Sequence, residues 1–252
     1  MLFIIAAFFL LGITSISYHQ ELFTLFIIMG LLILLLINKE KRFIISLLIS
    51  FLTGFVFFMV SNDIVGTLSI PQDLKVILNR LFLGFIIIGI VFNHLLFNKK
   101  VFWYHKKPDW KNPIVLPFHT VTIFWFWLIG IVVNVIIYLV FIVHKDIESI
   151  PMLFLFCIFF SLINGVFEEV IWRGIMLSSL MEQTSTGYAV ILTSVGFGLS
   201  HLAIGFSFSL SLLISIAGAI YAFITLKTNS IYPSIIFHII INIGMVYSGL
   251  II

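Results

Sequence analysis

Charge is what this 252-residue sequence has least of: Asp, Glu, Lys and Arg make up 9% of it, where soluble domains carry about a quarter. Hydrophobic residues reach 62%. A soluble core of that composition would lack the polar surface to cover itself, so soluble classes are excluded and the bilayer is the solvent. Cysteine is nearly missing too. The single Cys157 lies in an apolar run. It cannot form an intrachain disulfide, and it reads as a small packing residue rather than a catalytic thiol. There is no CxxC or zinc-finger spacing, no H-E-x-x-H pattern of zinc proteases and no G-x-S-x-G elbow of serine hydrolases. No extended basic patch exists, which excludes nucleic acid as a partner. Most Lys and Arg fall in Lys39–Arg42 and Lys99–Lys111, short stretches that border apolar segments and fit the positive-inside rule. The N-terminus has no Lys or Arg ahead of its apolar run and no A-x-A-like site near Ser15–Ser17. It therefore reads as a first membrane segment rather than a cleaved signal peptide.

What is present is a series of apolar runs. A spanning helix needs about 20 such residues, with a range near 17–25. Nine candidates meet or approach this: 2–18, 22–37, 43–61, 74–97, 115–143, 151–180, 188–204, 207–226 and 231–251. The expected fold is all-α, a polytopic transmembrane bundle of 8–9 spans. Pro151 and Pro233 open their segments, where a missing N–H costs nothing. Basic loops at 38–42 and 98–112 are expected in the cytoplasm with the N-terminus; loops around Glu21, Asp63–Asp73 and Asp146–Glu148 lean acidic and face the other side. Trp103, Tyr104 and Trp110 fit an interfacial belt. Residues 1–112 carry spans without motifs, and residues 113–252 carry the chemistry.

Nearly all charged residues lie at segment ends. Glu168, Glu169 and Arg173 are the exceptions, well inside the sixth segment, and charge at that depth is costly enough to mark a functional candidate. Glu169 and Arg173 are one helical turn apart and can pair. Glu168 is turned about 100° away, without a partner on its own helix and with Asn164 on its face. Arg80, near the start of its segment, is expected to snorkel to the interface. Two further polar elements sit in apolar surroundings: Phe197–Gly198–Leu199–Ser200–His201, and His238 with Asn242 one turn later. An unpaired polar group costs several kcal/mol in hydrocarbon, so these groups need partners. His19, His94, His105, His119 and His144 lie near loops or ends and read as interfacial. At about 1.5 Å per residue, Glu168, His201 and His238 lie ~18, ~20 and ~10 Å from the cytoplasmic ends of their segments, so the three can meet in the cytoplasmic half or near the midplane.

The three elements read E-E-x-x-x-R, F-x-x-x-H and H-x-x-x-N, in that order, on separate membrane helices. This set resembles the signature of the CAAX prenyl protease and bacteriocin-processing family of intramembrane endopeptidases. The resemblance covers roughly residues 150–245. It implies that Glu168 is the general base that activates water with His201, that His238 and Asn242 stabilise the oxyanion, and that Glu169 and Arg173 hold the motif helix. A base must be ionised to work, and an apolar surround disfavours that form, so polar neighbours or a water-filled cavity must offset it. No tightly bound metal is expected. Should a divalent ion such as zinc take part, Glu168, His201 and His238 are its ligands.

The expected activity is hydrolysis of a peptide bond in a peptide or lipidated protein tail near the cytoplasmic face of a bacterial cell membrane. Two other classes compete. One is a non-catalytic immunity or chaperone-like factor on the same fold, against which the complete polar set argues. The other is a proton-coupled transporter, which calls for polar residues on more helices than the last four.

Overall fold

The computed structural model describes residues 1–143 and 149–251. His144 and the acidic loop at Asp146–Glu148 lie outside the described residues. The helices are α1 (Leu2–Ser17), α2 (Glu21–Ile37), α3 (Arg42–Gly66), α4 (Gln72–Leu81), α5 (Gly84–Leu96), α6 (Ile123–Ile142), α7 (Ser149–Glu169), α8 (Leu177–Met181), α9 (Thr186–Ser200), α10 (Phe208–Thr228) and α11 (Tyr232–Tyr247). Val170–Met176 joins α7 to α8 as a π-helix, so the sixth segment runs on as one span. Among the described residues, six helical runs are long and apolar enough to cross a membrane; α1, α2 and α11 are shorter apolar helices. The chain is an all-α integral membrane protein.

Two boundaries differ from expectation. The fifth segment begins at Ile123 rather than 115, because β1 (Pro113–Val115) and β2 (Thr120–Thr122) pair as an antiparallel hairpin. Pro113 and Pro117, which lack an N–H to donate, keep this stretch out of the helix. The fourth segment is broken at Phe82–Leu83 into α4 and α5.

The core follows from aromatic packing across the division at residue 112. Phe9 meets Phe51 at 5.2 Å, Phe51 meets Trp172 at 4.9 Å, and Trp172 meets Phe197 at 6.3 Å. These rings join α1 and α3 to the motif helices. By contrast, α6 buries only Ile123; its apolar flank is a lipid-facing surface. His94 is a correction to the interfacial reading: it is buried, with Nδ1 2.8 Å from Ile90 O and Nε2 2.9 Å from Ser179 Oγ. Those two partners satisfy both ring nitrogens inside the bundle, which removes the need to reach water. Tyr104 also packs inward instead of sitting in an aromatic belt, and burial pushes its phenol above the ordinary value.

Helices α9 and α10 cross closely enough that only glycine fits at 198. A Cβ there would stand 2.0 Å from Ser215 Oγ and 2.2 Å from Ser211 O. We expect Gly198→Ala to cost about 1–3 kcal/mol through overpacking, read as a lower unfolding midpoint in detergent. Gly187→Ala, with nothing within 4 Å of the added carbon, should change little. Equal midpoints for the two variants would contradict this packing.

Candidate active site

Helix α7 carries Asn164, Glu168 and Glu169 toward the bundle axis, and the π-helix that follows widens the backbone where the motif continues. Such π segments recur at functional sites. Arg173 still faces Glu169: its Nη1 donates to Glu169 Oε1 at 2.9 Å. The same oxygen accepts from His238 Nδ1 at 3.0 Å. Arg173 Nη2 donates to Gly218 O of α10 at 2.9 Å, and its guanidinium lies 4.3 Å from the Phe197 ring centroid. Glu169 thus has 0% exposure and two cationic or polar donors.

Glu168 points elsewhere, as the helix geometry requires. Its partner comes from another helix: Arg80 of α4, with Nη1 3.4 Å from Glu168 Oε1 and donating to Asn164 Oδ1 at 3.1 Å. This corrects the snorkelling expectation for Arg80, which is buried. The physical reason is that Glu168 and Asn164 offer it oxygens inside the bundle, so it has no need to reach the interface. A signal for this was in the sequence. Gln72, Lys75 and Asn79 recur every three to four residues along α4, a polar stripe in an apolar segment, and all line the chamber described next.

A chamber of about 510 Å³ is lined by His201, His238, Asn242, Asn164, Arg80 and Tyr221 among others. His201 follows the last residue of α9; its Nδ1 lies 2.8 Å from Phe197 O, a contact that uses Nδ1–H and leaves Nε2 free to exchange a proton. His238 stacks on Tyr221 at 5.0 Å, and its Nε2 is 3.6 Å from Glu168 Oε2. Asn242 is buried and, among the described residues, its Nδ2 has no hydrogen-bond partner, which leaves a donor beside the chamber. Glu168 lies one layer deeper. It borders a second void, of about 20 Å³, together with Arg80, Ser200 and His201. That is room for one water with several polar neighbours. The structure therefore brings the sequence-derived residues together, Glu168 and His201 across this small void, His238 and Asn242 on the chamber wall.

Residues 149–244 match the family model of the type II CAAX prenyl endopeptidase Rce1-like proteins. This part of the chain is similar to that family. A Bacillus subtilis (strain 168) protein named "Putative membrane peptidase YdiL" is 29% identical over 96 residues. The matched stretch is 38% of this chain and 36% of that protein. No solved structure matches the chain. The matched region contains every E-E-x-x-x-R, F-x-x-x-H and H-x-x-x-N residue and leaves out Arg80.

Among the described residues, no three His, Cys, Asp or Glu side chains are gathered closely enough to hold a metal ion. The guanidinium of Arg80 also stands beside Glu168, where it would repel a divalent ion. These residues do not fit a metal centre as arranged.

The buried Glu169–Arg173 pair can be tested by mutation. Arg173→Ala should strand the buried Glu169 carboxylate and cost about 3–5 kcal/mol, seen as a lower melting point in detergent and lower abundance. An unchanged melting point with unchanged abundance would contradict the pairing.

Proposed function

We propose that this protein is an intramembrane endopeptidase that hydrolyses a peptide bond of a peptide or lipidated protein substrate within the 510 Å³ chamber. The observation that carries the reading is the small void shared by Glu168 and His201, which has room for one water between them, next to the chamber. Glu168, with His201, takes a proton from that water as its oxygen attacks the scissile carbonyl carbon. The carbonyl oxygen becomes an oxyanion and accepts from Asn242 Nδ2–H and from His238 Nε2–H. Glu169, at His238 Nδ1, holds the ring in place for this. As the tetrahedral species collapses, the C–N bond breaks and the proton held by the Glu168–His201 pair passes to the leaving amine.

Arg80 and Asn164 supply the polar surround that an ionised base needs in apolar sequence. Glu169 and Arg173 keep the motif helix in register and take no proton in the scheme. The chemistry runs through water alone, so a chelator should leave cleavage unchanged. The competing transporter reading calls for a polar path to both faces. Toward the basic loops, though, this bundle is closed by Arg173, Thr225 and Ser234, all buried.

Two variants test the scheme. Glu168→Gln, which keeps an oxygen for Arg80 to donate to, should abolish cleavage while the protein still folds, and Asn242→Ala should slow turnover about a hundred- to a thousand-fold by removing an oxyanion donor. Comparative proteomics of cells making wild-type or Glu168→Gln protein identifies the substrate as the polypeptide left uncleaved by the variant. Identical processing by both proteins would overturn the protease reading and favour a non-catalytic factor.

A further inference from the structure

The direction in which the chamber opens bears on its substrate. Its rim is built from Gly66, Gln72 and Lys75 at the α3–α4 turn, Phe206 ahead of α10, and Leu250 after α11. These turns lie at one end of the bundle, where Lys75 Nζ donates to Gly66 O at 2.9 Å and His19 meets Asp63 at 3.7 Å. His201 closes α9 at this same end, within one turn of Gly205, whose φ of 89° stops the helix. The candidate histidine is therefore close to the rim.

The other end of the bundle gathers the basic loops. Lys41 Nζ donates to Gln183 O at 3.1 Å, Lys99 pairs with Glu182, and Lys227 Nζ donates to Pro113 O at 3.2 Å. Loop residue Asp109 is tied to Thr228 by a backbone bond. That end holds Lys39, Lys41, Arg42, the lysines of Lys99–Lys111 and Lys227 against Glu40, Asp109 and Glu182. The rim end, among the described residues, holds Glu21, Asp63 and Asp73 against Lys75. An excess of Lys and Arg in short loops marks the cytoplasmic side. Toward that side the chamber floor is closed: Glu169 is bonded to Arg173 and His238, and Thr225 Oγ1 to Ser234 Oγ at 2.7 Å.

We propose that the chamber takes its substrate from the face opposite the cytoplasm. The substrate class is then an extended segment of an exported or membrane-anchored polypeptide lying on that outer face. The tail of a cytoplasmic protein, expected from apolar-segment depth alone, does not reach the rim. The word substrate rests on the protease reading above, whereas the direction of access rests on geometry and charge.

Single-cysteine labelling separates the two. In the full chain with Cys157→Ala, cysteines are placed at Gln72 on the rim, Ala217 on the chamber wall and Lys100 on the basic loop. Ile214→Cys, on the same wall, serves as a second chamber position. Intact cells are treated with a membrane-impermeant maleimide. We expect Gln72→Cys and a wall cysteine to be modified in intact cells, and Lys100→Cys only after permeabilisation. Labelling of Lys100→Cys in intact cells, or of the rim and wall cysteines only after permeabilisation, would overturn the proposal. Labelling requires no turnover, so adding Glu168→Gln should leave the pattern unchanged; failure of the hydrolytic scheme and failure of outer access are read separately.

Discussion

Everything in the site depends on how one carboxylate is held. Glu169 has no exposure, and a single oxygen accepts from both Arg173 and His238. An unpaired charge in such a place would cost several kcal/mol or more. Pairing therefore dictates where three helices sit. Arg173 reaches across to Gly218 of α10, and His238 brings in α11. The Phe197 ring beneath the guanidinium adds α9. Once these contacts are made, His201, His238 and Asn242 face a common space by geometry rather than by any direct bond among themselves.

The adjacent carboxylate follows from the same constraint. With Glu169 turned to Arg173, helical rotation turns Glu168 about 100° away to a neighbouring face of α7. There it meets Arg80 and Asn164 instead of hydrocarbon. Two neighbouring glutamates thus have different tasks: one fastens helices, and the other borders a water-sized void with His201. In the proposed scheme only the second moves a proton.

Much of this was legible in the sequence, because polar groups in apolar runs are few and each must be satisfied. The four-residue spacing of Glu169 and Arg173, and of His238 and Asn242, named which residues share a helical face. What spacing within a helix does not encode is contact between helices. Arg80 reads as interfacial from its position near a segment start, yet oxygens on α7 draw it inward. His94 lies beside a segment end, yet Ser179 on α8 and its own Ile90 carbonyl satisfy it where it is buried. The hairpin ahead of α6 was hidden for a related reason: hydropathy reports apolar content, and the prolines that break the helix were outweighed by it. Likewise, segment depth locates Glu168 and His201 along the membrane but does not say which end the cavity opens to.

The central claim is that Glu169 and His238 are coupled and that this coupling assembles the site. A double-mutant cycle measures it directly: unfolding free energies in mixed micelles for wild type, Glu169→Gln, His238→Gln and the double variant. A shared buried network predicts a coupling energy of about 0.5–3 kcal/mol between the two positions. Additive effects, with the double variant losing the sum of the two single losses, would contradict it.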